Sequence, residues 1–343
     1  MIRIGIVGTA SIAQRRMIPA ILKHPAFQYA GASIATQQET GFSGTAEEFA
    51  PLWAKKQEKA AELSAYFGGR TWESYRALLQ DPAVDAVYVA LPPALHERWI
   101  REAILQGKHV LAEKPFTTRA QDAQELITLA HEHQVALVEN YGFPLHRQMR
   151  HIQEWIQAGA IGDIRLVRAT FGFPHRDAAD FRYQKALGGG ALLDCGGYTL
   201  KAATEMLGGP LEVLSAEALF LPKHEVDMAG TITLRNPTGR CAQLAYGMDH
   251  AYRCELEVWG NQGLITAPRI FTAPDGFEAP VYLTRGQHTE EYKASDDQFL
   301  RIVEKFADCI ASPEARERSW AEILTQSLLT EQVRVMAQIE GKD

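Results

Sequence analysis

The apolar positions of this chain fall into two textures. Through residue 138, short apolar runs alternate with amphipathic stretches. Residues 2–7, 28–33, 86–91, 109–112 and 135–138 read as strands buried on both faces. Between them the apolar spacing takes the helical period, up to Lys23 after the first strand and then over 54–67, 96–106 and 119–133. Pro19 should kink or shorten the first helix. Thr117 and Thr118 are suited to cap the last. Regular βα alternation predicts a parallel, doubly wound sheet over residues 1–141. After Tyr141 the pattern changes. A helix (147–158) leads to a strand (164–173), a glycine-rich segment (188–197) and a helix to about Leu207. Strand-like runs follow at 213–221, 231–234, 241–246, 254–259 and 264–267, separated by turns such as 236–239 and 260–263. Two amphipathic helices close the chain, 298–310 and 320–339. Residues 142–343 thus read as an α+β domain with a large, mostly antiparallel sheet. Helices cover one face of that sheet, and the other face suits burial in a homo-oligomer.

The totals change this picture little. The chain has 343 residues, 46% apolar and 22% charged, with a formal net charge of −7. That acidic balance leaves no footprint for nucleic acid. No apolar run approaches the roughly 18 residues of a membrane span. The N-terminus enters a strand directly, without a signal-peptide layout. Cys195, Cys241, Cys254 and Cys309 are scattered, with neither metal-ligand nor disulfide spacing. A cytoplasmic protein without a metal site is the expectation.

Candidate chemistry begins at Gly8-Thr9-Ala10-Ser11-Ile12-Ala13, between the first strand and helix. A dinucleotide fingerprint needs that context. Gly8 makes the tight turn, Ala13 allows close helix packing, and the N–H groups at the helix start face a pyrophosphate. Ala10 stands where the usual motif has its middle glycine and crowds the phosphate; a plain βα turn is the competing reading. The second strand ends without the acidic residue that reads the ribose of NAD. Ser33 and Thr36 are instead placed to bind a 2′-phosphate, which leans toward NADP, with NAD the alternative. The long connection 40–51 is a candidate cover for the adenosine end.

The fourth strand of the series, 109–112, runs into Glu113-Lys114-Pro115, which puts Lys114 at the sheet edge where ligands bind. Asp194 and Tyr198 share one helix face. If that face meets Lys114 across an interdomain cleft, the ammonium favours phenolate and lowers the phenol from its usual value near pH ~10. Tyr198 then serves as general acid to a developing alkoxide. Lys114 polarises the carbonyl, and Asp194 accepts a hydrogen bond from a substrate hydroxyl. The structural alternatives are a solvated loop charge, a helix cap and half-buried packing.

Together, Gly8 to Ala13, Glu113-Lys114-Pro115 and Gly188-Gly189-Gly190-Ala191-Leu192-Leu193-Asp194 with Gly196 resemble the glucose–fructose oxidoreductase/inositol dehydrogenase (Gfo/Idh/MocA) family. Glu139, His146, 159–162, Gly260 and Gly263 fit it too, so the likeness spans the chain. It implies a nicotinamide-binding Rossmann domain, a second domain with a large sheet, and assembly through that sheet as a dimer or tetramer. It assigns Lys114 to substrate and nicotinamide, and puts Leu91, Pro92, His96 and Glu113 along the cofactor cleft. Tyr198 resembles the tyrosine-bearing branch, whose tyrosine is the proposed proton donor. That branch includes dihydrodiol dehydrogenases and nucleotide-sugar 3-ketoreductases. Pro93 replaces a common asparagine, and Lys201 stands where polyol oxidisers often carry an acid. Arg182, with His175 and Arg176, is placed to meet an anionic part of the substrate or to be an ordinary surface charge.

The resulting expectation is an NAD(P)-dependent oxidoreductase that reduces a ketosugar, nucleotide-linked in the favoured version. Dihydrodiol or free-sugar oxidation is the alternative within the class. A non-catalytic nucleotide-binding sensor is the alternative outside it, and redox-cycling glycosidase chemistry a third.

Overall fold

Strand β1 (Ile2–Val7) lies at the middle of a six-stranded sheet in a computed structural model that describes residues 1–339 apart from 41 and 43. Its partners are β2 (Phe27–Ser33), β3 (Arg70–Trp72), β4 (Ala86–Val89), β5 (His109–Ala112) and β6 (Leu137–Glu139), in the order β3-β2-β1-β4-β5-β6. Every pairing in it is parallel. The order in which strands are added reverses at β1, so the loops after β1 and β4 run to opposite sides and open a crevice at the carboxyl ends. The helices of this part are α1 (Ile18–Lys23), α2 (Gln37–Thr40), α3 (Ala46–Phe67), α4 (Tyr75–Leu79), α5 (His96–Leu105) and α6 (Ala120–His133).

Two sequence expectations are corrected here. The connection 40–51 is mostly helix: α2 ends at Thr40 and α3 already starts at Ala46. A capping box sets that start. Thr45 Oγ1 accepts the Glu48 N–H at 3.2 Å, and Glu48 Oε2 accepts the Thr45 N–H at 2.8 Å. Gly41 and Ser43, part of the expected loop, lie outside the described residues. The helix after Gly8 is wound as π over Ala13–Met17 before α1 begins, just ahead of Pro19.

The second sheet has eight strands: β7 (Ile164–Gly172), β8 (Glu212–Leu219), β9 (Ala229–Arg235), β10 (Cys241–Gly247), β11 (Arg253–Gly260), β12 (Leu264–Ala267), β13 (Ala279–Arg285) and β14 (His288–Ala294). The β7–β10 pair is parallel and the others antiparallel. Two helices, α7 (Arg147–Gln157) and α8 (Gly197–Leu207), cover one face around Phe143, Phe171, Leu200 and Phe271. The expected parallel sheet and mostly antiparallel second sheet are both present. The hairpin β13–β14 was missed because its outer strand is polar, His288-Thr289-Glu290-Glu291, and lacks an alternating apolar face.

The closing helices are α9 (Gln298–Ala311) and α10 (Pro313–Met336). One compact unit comprises Met1–Thr117, Gln121–Asn140 and Phe299–Ile323; the other comprises Thr118–Ala120, Tyr141–Gln298 and the chain from Leu324 on. Residues 299–323 therefore belong to the first unit, not to one continuous domain 142–343. Phe306 stacks on Phe27 at 5.8 Å, and Ser319 Oγ donates to the Leu137 carbonyl at 2.8 Å. Amphipathic helices reveal that they pack, but not against which sheet. Among the described residues no helix is long and apolar enough to cross a membrane.

Candidate active site

In the first unit the candidate residues sit at the carboxyl edge of the sheet. Gly8 has φ +100°, and a Cβ there would lie 2.9 Å from Leu91 Cδ2 and 3.1 Å from the Ala90 carbonyl. Only glycine allows this turn, and it lets backbone approach a ligand closely. Thr9, Ala10 and Ile12 are half-buried and Ser11 exposed at the amino end of the following helix. The Ala10 carbonyl accepts the Ala13 N–H at 3.0 Å. The residues at this turn fit a dinucleotide pyrophosphate.

Lys114 follows β5, half-buried, and the turn around it is braced from several sides. Glu113 Oε1 accepts from Tyr88 Oη and, at 2.7 Å, from Asn140 Nδ2, which ties together the ends of β4, β5 and β6. Glu139 Oε1 accepts the Phe116 N–H at 2.8 Å. His96 is fully buried between the Pro115 carbonyl (Nδ1, 2.8 Å) and the Leu91 carbonyl (Nε2, 2.9 Å). Burial holds its pKa below the usual histidine value, although both carbonyls favour the charged form. A neutral ring donates to one of the two. His96 and the Glu113 carboxylate were expected as cofactor contacts. In the structure His96 bonds the Leu91 and Pro115 carbonyls, and Glu113 bonds Tyr88 and Asn140, so both brace the turns at this edge.

The second strand's edge also differs from expectation. Ser33 is fully buried, and its hydroxyl donates to the Ile6 carbonyl at 3.2 Å. Its hydroxyl is turned toward the backbone of the neighbouring strand. Thr36 is exposed at the edge. Sequence reading overlooked Glu39, a buried carboxylate that accepts the N–H groups of Thr36 (2.9 Å), Tyr75 and Arg76 (both 3.1 Å). It braces the start of α4. The signal lay in a carboxylate three residues past Thr36.

In the second unit, Asp194 and Tyr198 lie on the helix that leaves the glycine run. Its first turn, Leu192–Gly196, is π-wound and passes into α8. Such insertions are frequent at functional sites. Tyr198 is half-buried in a nest of rings, with centroids 5.0 Å from Tyr141, 5.1 Å from Phe171 and 5.7 Å from Phe271. Asp194 Oδ2 accepts from Arg182 Nε at 2.8 Å, and Arg182 Nη1 donates to Asp180 at 3.0 and 3.3 Å. Burial opposes the Arg182 charge, but Asp194 and Asp180 outweigh it and hold its pKa above the ordinary arginine value. Two carboxylates on one guanidinium leave the trio net negative. Arg182 thus holds the Asp194 carboxylate in place through its Nε. Arg176 lies over the Phe173 ring, and His175 stacks on Tyr183 at 4.5 Å. Lys201 pairs with Glu205 at 3.3 Å.

The sequence profile of an oxidoreductase family with an NAD-binding Rossmann fold, GFO/IDH/MocA, matches residues 2–141. The profile of the GFO/IDH/MocA C-terminal domain matches residues 149–266. The chain belongs to the GFO/IDH/MocA oxidoreductase family. Among its GFO/IDH/MocA relatives is a dTDP-3,4-didehydro-2,6-dideoxy-alpha-D-glucose 3-reductase from Actinomadura kijaniata, 37% identical over 98% of this chain and 96% of the other. A 3-ketoreductase from the same organism, solved with NADP and TDP-benzene, superposes with TM-score 0.88 at 35% identity, covering 98% of this chain and 97% of that one. More distant within the GFO/IDH/MocA set is a trans-1,2-dihydrobenzene-1,2-diol dehydrogenase from Xenopus laevis, 30% identical over 64% of this chain and 67% of its own.

Proposed function

We propose that this enzyme reduces the keto group of a nucleotide-linked ketosugar with NADPH. The observation that carries this reading is a paired one. The Actinomadura kijaniata ketoreductase has been solved with its lysine or its tyrosine substituted, each time with TDP-benzene and NADP. Those two residues are separated in sequence by the same number of positions as Lys114 and Tyr198.

The assigned roles follow from chemistry. Gly8 and the helix start at Thr9, Ala10, Ser11 and Ile12 hold the pyrophosphate of the cofactor. Thr36 lies toward the 2′-phosphate, and Leu91 and Pro92 wall the nicotinamide side. The three N–H groups on Glu39 favour NADP, because the carboxylate nearest the end of β2 is engaged with backbone and not offered to a ribose. NADPH supplies the hydride when bound. Lys114 polarises the substrate carbonyl, Asp194 accepts from a neighbouring hydroxyl, and Tyr198 gives the proton to the developing alkoxide.

A substrate panel tests the reading. NADPH oxidation that requires the nucleotide on the sugar supports it; NADP⁺ reduction with dihydrodiols or free sugars at greater efficiency replaces it. Tight cofactor binding without turnover on any of them favours the sensor alternative. We further propose a cytoplasmic homo-oligomer assembled through the uncovered face of the second sheet. That face joins the Arg168–Glu257 pair at 3.5 Å with exposed Leu219 and Trp259. A monomer's mass in analytical ultracentrifugation contradicts this.

A further inference from the structure

The glycine run leads to a buried carboxylate that the catalytic roles above leave unused. Asp227 is 2% exposed, and its Oδ2 accepts the Leu192 N–H at 2.7 Å. Its main-chain carbonyl accepts the Ala191 N–H at 2.8 Å. Leu192 opens the π-wound turn that carries Asp194 and leads to Tyr198. Gly190 makes the approach possible. Its φ is +124°, and a Cβ there would lie 2.4 Å from Asp227 Oδ1. Gly189 has a parallel reason: its Cβ would fall 2.4 Å from the Arg182 carbonyl, in the loop whose side chain holds Asp194. The glycines therefore make room for protein groups that grip the helix start.

The loop bearing Asp227 is itself fixed. The Met228 N–H donates to the Leu219 carbonyl, and the Met228 carbonyl accepts the Met248 N–H, both at 2.8 Å. Of the titratable groups nearby, Tyr246 of β10 interacts with Asp227, and Cys195 of the π turn interacts with Tyr246. Tyr246 is buried, and burial, then Asp227, then Cys195, drives its pKa well above the usual phenol value. Burial pushes Asp227 itself up to about 6, against the N–H groups of Leu192, Asp227 and Ala191. Burying a carboxylate is costly, and a neutral cap would satisfy the same N–H more cheaply.

We propose that Asp227 is the positioning residue of the Tyr198 helix: reaching in over Gly190, its carboxylate fixes the π-wound first turn and thereby the bearings of Asp194 and Tyr198. The inference rests on the proton-donor role proposed for Tyr198. It acts through other groups, so it predicts a loss in kcat and none in cofactor affinity.

The experiment compares Asp227→Asn, which keeps an acceptor for Leu192, with Asp227→Ala and Asp227→Val, which do not. Readouts are kcat and KM, NADPH affinity, and hydrogen exchange over 190–196. Expected are a kcat loss of about 100-fold in the Ala and Val variants, as for a misplaced catalytic group, with NADPH affinity and the exchange of β1–β6 unchanged. Exchange over 190–196 should rise in both, and Asp227→Asn should restore protection and most of kcat. Wild-type exchange and kcat in the Ala or Val variant overturn the proposal. So does failure of both to fold while Asp227→Asn folds, because Asp227 then serves the fold at large. If wild type fails to reduce ketosugars, the proposed reaction is lost, and exchange over 190–196 still decides whether Asp227 fixes the turn.

Discussion

Arg182 Nε donates to Asp194 Oδ2 at 2.8 Å while Nη1 holds Asp180 at 3.0 Å, so one guanidinium sets the orientation of a carboxylate assigned to the substrate. Breaking such a partly buried pair typically costs about 3–5 kcal/mol, mostly because the partner charge stays behind. Arg182→Met should therefore lose a few kcal/mol in urea unfolding and lower kcat, with NADPH affinity unchanged. Arg182→Lys keeps the charge but not the fork and should fall between. Unaltered stability and kcat in Arg182→Met would show that Asp194 needs no support.

Tyr198→Phe and Lys114→Met address the chemistry itself. Each should lower kcat by about 10²–10⁴ while cofactor binding stays near wild type, the expected scale for losing a general acid or its electrostatic counterpart. Near-wild-type turnover in both removes them from the mechanism.

A third expectation concerns acid. His109, at the start of the strand that delivers Lys114, accepts the Ala136 N–H through Nδ1 at 2.9 Å. Burial, then Arg316, lowers its pKa to about 4. The unfolded chain, with an ordinary histidine pKa, binds the proton more tightly. The stabilisation from neutral His109 is therefore complete above about pH 6.5 and is lost as pH falls toward 4, about 3 kcal/mol in all. His109→Asn, which keeps an acceptor, should flatten that part of the stability–pH curve. An unchanged slope between pH 6.5 and 4 refutes the assignment.

At the cofactor edge, Ser33→Ala should leave NADPH affinity untouched because its hydroxyl belongs to Ile6. Thr36→Ala should weaken NADPH binding and spare NADH. Fluorescence titration reads both, and the opposite pattern would return Ser33 to the phosphate.

What the sequence made legible was local. The strand–glycine turn–helix at Gly8, the turn after the strand that carries Lys114, and the helix start that carries Asp194 and Tyr198 all follow from short-range pattern and are present as local elements. What it hid was mostly long-range. Asp227 reaches Leu192 across 35 positions, and Glu39 reaches Tyr75 across 36. Neither pairing leaves a periodic mark. The bond from Ser33 to Ile6 was hidden because strand-end polarity says nothing of which way a hydroxyl turns. Residues 299–323 misled because an amphipathic helix records that it is covered but not by which sheet.

The most direct test of the central claim is kcat/KM for NADPH-dependent reduction of a dTDP-linked 3-keto sugar, measured beside the same sugar without its nucleotide. The account predicts efficient turnover of the first, little of the second, and loss of the first in Tyr198→Phe. Equal turnover of both sugars, or full activity without the phenol, would contradict it.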